Sequence, residues 1–231
     1  SCKAWDPAYA YELSTIIKHG IDEMWGQELD FFNYIMLYNE NQQQPPKPKG
    51  ADEGIVKGAY KLIKLGNNAN IKVRLLGSGP ILKHVIEAHD LLKSNFDIDS
   101  EVWSVTSYGE LRREGLSVQR NNVLFPQDIR KSYVEHCFGD NMPTVAVSDH
   151  ISAIPEMIQR WIGGQFIVLG TDGYGRSDTR EALREFFEID TNNIIIGVLS
   201  ALEKEEKISV GSVEEAVNIL GIQREKKDKT E

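Results

Sequence analysis

The chain has 231 residues, enough to bury a full core, and its 41% hydrophobic and 26% charged residues are ordinary for a globular protein. A net charge of −9, with no cluster of Lys and Arg in the folded segments, excludes a nucleic-acid backbone as partner, and no apolar run reaches membrane-spanning length. Cys2 and Cys137 have no C-x-x-C spacing, which argues against a disulfide framework or structural zinc and for a reducing compartment.

The first residues, SCKAWDPAYAYEL, carry neither an initiator Met nor the basic and apolar regions of a signal peptide, so the expectation is the interior of a longer chain. Tyr9, Leu13, Ile16, Ile17 and Met24 recur at helical spacing over residues 8–25, with Asp6 as the expected cap, Pro7 suited to the first turn and Gly26 as the stop. Residues 31–37, FFNYIML, predict a strand. One helix and one strand cannot bury each other, so further strands of that sheet are expected upstream. Residues 39–49, NENQQQPPKPK, lack apolar periodicity and predict an extended linker and a domain boundary.

Residues 54–64 fit either a short helix or an edge strand. Residues 71–76 predict a strand, Gly77-Ser78-Gly79 a turn, and Pro80 opens a helix whose face holds Ile81, Leu82, Val85, Ile86 and Leu92. Strands are expected at 101–105, 144–147 and 166–169, and helices at 111–118, 128–138, 151–162, from Asp178 to Phe187, and at 190–204. Asp178 with Glu181, and Ser212 with Glu215, have the spacing of capping boxes, the second opening a last helix. REKKDKTE is expected to be a solvated tail. Strands alternating with helices predict an α/β fold with a largely parallel sheet covered on both faces.

Gly77-Ser78-Gly79 follows a strand and opens a helix, as a phosphate-cradling turn does. The dinucleotide fingerprint fails, however, because Leu82 stands where its third glycine belongs, and an ordinary turn is the simpler reading. The loop after residues 166–169 gathers Asp172, Tyr174, Arg176, Ser177 and Asp178 at a strand's carboxyl end, where open α/β sheets place ligands or partner domains. Arg176 has the fork to grip a carboxylate, while the simpler alternative pairs it with an acidic neighbour and uses Asp178 as a helix cap. His84 and His89 are not spaced as two ligands on one helical face, and His19 suits a helix dipole. His150 beside Asp149 has the makings of an oriented imidazole, but no Ser or Cys elbow accompanies it.

LYNEN at residues 37–41, KGADEGIVKGAYKL at 49–62, VRLLGSGPIL at 73–82, VWSVTSYGELRREG at 102–115 and VLGTDGYGRSDTREALREFFEID at 168–190 together resemble the carboxyl-terminal part of the homodimeric bacterial pyruvate dehydrogenase family, first component of the pyruvate dehydrogenase complex. The resemblance covers nearly the whole chain. It implies a three-layer α/β/α domain with a mixed, mostly parallel sheet of transketolase carboxyl-terminal type over residues 50–222. Residues 1–38 would then end a pyrimidine-binding domain, 39–49 would be the linker and 223–231 a disordered tail. Such enzymes are cytoplasmic homodimers that decarboxylate pyruvate and pass acetyl to a lipoyl group on the second component, with thiamine diphosphate and Mg2+ supplying the carbanion chemistry. Their diphosphate motif and activating Glu lie upstream. Here Thr171-Asp172-Gly173 ahead of Asn192-Asn193 only mimics that motif, because Thr171 replaces its first glycine and the separation is too short. No catalytic, cofactor-binding or metal residue is therefore expected in this segment. Asp172, Tyr174, Arg176, Ser177 and Asp178 are expected to form an entrance or interface loop, and the segment to act as scaffold. Two other classes fit the same residues: a transketolase-like enzyme for another 2-oxo acid or sugar, and a stand-alone anion-binding regulatory module.

Overall fold

The computed structural model describes residues 1–66 and 70–225. Most of the REKKDKTE tail lies outside the described residues. A five-stranded sheet runs in the order β3 (Ala59–Ile63), β5 (Asp99–Val105), β4 (Lys72–Gly77), β6 (Thr144–Val147), β7 (Phe166–Leu169). β3 is antiparallel to β5, and the other pairs are parallel. The sheet is thus mixed and mostly parallel, as expected.

Its alternating side chains feed two cores. Val73, Leu75, Val102, Val145 and Val147 meet α3 (Leu82–Phe96), α8 (Thr191–Lys204) and α9 (Ser212–Ile219) on one face. Leu76, Trp103, Val105 and Ala146 meet α4 (Tyr108–Leu124), α5 (Tyr133–Phe138) and Trp161 on the other. Both faces of the sheet are thus covered. Three layers result.

The amino-terminal segment packs beside this domain. β1 (Cys2–Trp5) pairs in parallel with β2 (Phe32–Ile35), and α1 (Ala10–Ile21) ends in a π-helical turn, Asp22–Gly26. Trp5 and Ile16 share a third core with Ala51, Ile55 and Tyr60, so the segment and the domain bury apolar surface together. Residues 36–48 have no regular structure. They lie over the domain, with Gln44 accepting from Ala10 N at 2.9 Å and Gln42 donating to Pro80 O at 3.3 Å.

Several local expectations are corrected. Residues 54–64 are both alternatives in succession, because α2 (Ala51–Lys57) passes straight into β3 through Gly58 at φ 106°. That left-handed conformation reverses the chain without a loop. Asp6 caps nothing. α1 begins at Ala10, and Glu12 accepts from the backbone of Ala8 and Tyr9 instead. Residues 111–118 are part of a longer helix, begun at Ser107, whose hydroxyl accepts from Glu110 N. Of residues 128–138 only Tyr133–Phe138 is helical, set by a capping box of Ser132 and Glu135. Residues 151–162 break into Ala153–Glu156 and a 3-10 turn, Gln159–Trp161. Pro155 cannot donate to Ile151 O, which accepts from Ile154 N instead. Thr179, not Asp178, caps α7 (Arg180–Phe186). Gly211 rather than Ser212 stands at the cap of α9, where Glu203 of α8 accepts from Gly211 N and Val213 N.

Candidate functional site

β4, β6 and β7 end side by side, and the residues that follow them meet in one crevice. Ser78 and Ser148 hydroxyls lie 3.2 Å apart, Thr171 N donates to His150 O at 2.9 Å, and Thr171 Oγ1 donates to Asp149 O at 3.2 Å. The crevice is roofed by the amino-terminal segment and the irregular stretch over residues 36–48. A cavity of about 150 Å³ lies between them, lined by Tyr38, Glu40, Pro80, Asp149, Thr171 and Arg184 among others.

Gly79 shows why the turn after β4 is not a phosphate cradle. It has φ 48°, its N–H donates to Asp6 O at 3.2 Å, and a Cβ there would collide with the Asp6 carboxylate. An acid occupies the place where a phosphate would approach.

Two clasps hold the roof. In the first, Tyr38 donates its hydroxyl to Asp6 Oδ1 at 2.6 Å, while Asp6 Oδ2 stands 3.3 Å from His150 Nε2. The carboxylate within ion-pair distance of the His150 ring nitrogen is therefore Asp6, not its neighbour Asp149. Interaction with Asp6 raises the imidazole pKa above its ordinary value, and burial raises that of Asp149. In the second clasp, Arg184 grips Glu40 through two nitrogens, Nη1 to Oε1 at 3.2 Å and Nη2 to Oε2 at 2.5 Å. Lys83 of α3 also donates to Glu40 Oε1, and Arg180 Nε stands 3.9 Å from Oε2. The Arg184 bond is the main reason the Glu40 carboxyl is held down to about 2. Both clasps were missed in the sequence. The available signal was Arg180 and Arg184, one turn apart on one helix and so able to face one acid.

The loop residues singled out in the sequence occupy the rim. Asp172 is half-buried, accepting from Ser152 N at 3.0 Å and Ser152 Oγ at 3.1 Å. Tyr174 is 88% exposed, and Ser177 is exposed. Asp178 Oδ1 accepts from Thr179 N at 2.7 Å. The Arg176 guanidinium lies 4.1 Å from the centre of the Phe186 ring rather than on a carboxylate; the bidentate arginine of this region is Arg184.

The residues here do not fit a magnesium diphosphate. Asp172 is turned to Ser152, and Asn193 spends its N–H and side-chain amide on Asp190 Oδ1, the cap of α8. Among the described residues no group of three His, Cys, Asp or Glu side chains could hold a metal ion. His89 donates to or accepts from Ser100 at 2.7 Å, and His84 is 3.1 Å from Thr191. No helix among the described residues is long and apolar enough to cross a membrane.

A mixed sheet layered between helices, with its crevice at the strands' carboxyl ends, defines a domain of transketolase carboxyl-terminal type. The model of the transketolase-like TK C-terminal domain family matches residues 58–190, and the chain belongs to that family. A solved transketolase of Pichia stipitis superposes on 89% of this chain and 26% of its own, with TM-score 0.55 and 16% identity, a likeness of fold. The "Pyruvate dehydrogenase E1 component" of Pseudomonas aeruginosa is 46% identical over 231 residues, covering 99% of this chain and 26% of that protein. The protein of the same name from Escherichia coli is 39% identical over 229 residues, 98% of this chain and 26% of its own length. The chain thus spans about a quarter of the relatives it matches.

Proposed function

We propose that this chain is the carboxyl-terminal part of a homodimeric, cytoplasmic pyruvate dehydrogenase E1 component, in which it serves as scaffold and entrance wall. The observation that carries the reading is the 46% identity to a pyruvate dehydrogenase E1 component along 99% of this chain, against 16% to the transketolase structure. In this reading the parent enzyme decarboxylates pyruvate and transfers acetyl to the lipoyl group of the second component. Thiamine diphosphate, held with Mg2+ by upstream segments, supplies the carbanion stabilisation. This chain's own residues position and exclude. The domain boundary falls in residues 39–49, and residues 170–178 form the rim of the entrance, where Tyr174 is free to meet a partner. Support also comes from the amino-terminal segment, whose Ile21, Trp25, Phe32 and Tyr34 are exposed. That apolar surface suits packing against the rest of a pyrimidine-binding domain.

Calorimetric titration of thiamine diphosphate with Mg2+ tests the assignment, using this chain beside the full-length protein that carries it. No heat from the chain and tight binding by the full-length protein are expected. Binding by the chain alone would overturn the scaffold assignment and make Asp172 and Asn192 ligand candidates.

A further inference from the structure

The clasp on Glu40 joins three parts of the chain that the sequence keeps far apart. Glu40 sits in the irregular stretch between β2 and α2; Lys83 is on α3, and Arg180 and Arg184 are on α7. Arg184 is buried and Glu40 nearly so, with side-chain exposures of 7% and 12%. A buried guanidinium without its carboxylate is strongly unfavourable, so loss of Glu40 must move Arg184 and the helix that carries it. Arg180 adds a second tie through Asn39, donating to Oδ1 at 2.6 Å.

α7 is also the far anchor of the rim loop. The loop begins fixed, by Thr171 to His150 and by Asp172 to Ser152. It ends fixed at the Thr179 cap of α7 and at Arg176 stacked on Phe186 of the same helix. Between these anchors Gly173 has φ 94°, and Gly175 has no neighbour within 4 Å of the place for a Cβ. Residues 173–178, between the anchors, are exposed. The loop's far end is only as well placed as α7.

We propose that Glu40 and Arg184 are positioning residues, through which the linker sets the place of α7 and hence of the rim loop over residues 170–178. Resting on the entrance reading above, the inference adds that the loop's geometry is controlled from the linker.

The test uses the full-length protein carrying this chain, with Glu40→Gln and Arg184→Ala. Amide hydrogen exchange is followed in residues 38–45 and 171–179, with β4 and β6 as internal references. Glu40→Gln and Arg184→Ala should each speed exchange about 10-fold in both segments and leave the reference strands unchanged. Steady-state assays then compare turnover with a small artificial electron acceptor and with the lipoyl domain of the second component. The KM for the lipoyl domain should rise several-fold, while kcat with the small acceptor stays unchanged. Faster exchange confined to residues 38–45 would overturn the inference, since Glu40 would then pin the linker alone. Faster exchange in both segments with an unmoved KM would uphold the coupling and overturn the entrance reading instead.

Discussion

Replacing Gly79 by Ala tests whether the crevice is closed by the chain's own Asp6. Ala at φ 48° must hold a left-handed conformation, which costs about 1 kcal/mol. The added methyl would also collide with the Asp6 carboxylate, forcing it away from the Tyr38 hydroxyl 2.6 Å distant. A hydrogen bond to a charged group contributes about 2 kcal/mol. The two effects together predict a loss of about 3 kcal/mol, read as a lower urea midpoint at unchanged slope. Gly211→Ala is the control, because Gly211 has φ 93° but nothing within 4 Å of its Cβ position. It should lose only the conformational part, about 1 kcal/mol. Equal losses for the two variants, within about 0.5 kcal/mol, would refute the argument that Asp6 fills the turn.

Glu12 is fully buried and accepts from Tyr60 and Ser104 hydroxyls at Oε1 and from Ala8 and Tyr9 N–H at Oε2, while burial, the largest influence, raises its pKa. Glu12→Gln can turn its oxygen to the two amides and its NH2 to the two hydroxyls, so denaturation should show a change below about 1 kcal/mol, whereas Glu12→Ala leaves four donors facing a void and should cost about 3 kcal/mol or more. His150, faced by Asp6 and Asp149, has a raised pKa in the folded state. Its stabilisation is therefore complete below the unfolded value of about 6.5 and is lost as pH rises through the higher folded value. The melting temperature should fall over that window, and His150→Gln should flatten the fall; parallel curves for the two proteins would rule out the Asp6 partnership.

The sheet was legible where a short apolar run is bounded by turn-forming residues. β6 and β7 are short, largely apolar runs, and TVAV and FIVL fall on the same residues in the fold. β1, CKAW, is too short to show a pattern, and its partner lies some thirty residues on, Cys2 beside Phe32. Helix starts at Ser107 and Ser132 were written in the sequence as S-x-x-E and passed unread, while Ser212 had the same spacing and is no cap. There the helix starts one residue earlier, Glu215 N donates to Gly211 O, the Ser212 hydroxyl donates to Ser209 O instead, and Glu203 reaches across from α8 to Gly211 N and Val213 N. The crevice was legible only as a position, the carboxyl ends of strands. Its chemistry was not, because Glu40 and Arg184 are 144 positions apart and no local period links an acid to an arginine at that distance.

These long-range pairs bear on what the folding unit is. The matched domain family begins at residue 58 and contains Arg184, Tyr60, Ser104 and His150. The groups that pair with them, Glu40, Glu12 and Asp6, all lie before it. Trp5 and Ile16 likewise complete a core begun by Ala51, Ile55 and Tyr60. A buried arginine, a buried tyrosine hydroxyl and an apolar cluster each need a partner from the amino-terminal segment, and unsatisfied buried polar groups cost more than the bonds they would have made. Residues 39–49, if they mark a domain boundary, therefore join two parts that complete each other's buried groups. Their polar, proline-rich text looks like a spacer, yet one acid in it is gripped by two helices of the domain, and that acid ties the roof of the crevice to its rim.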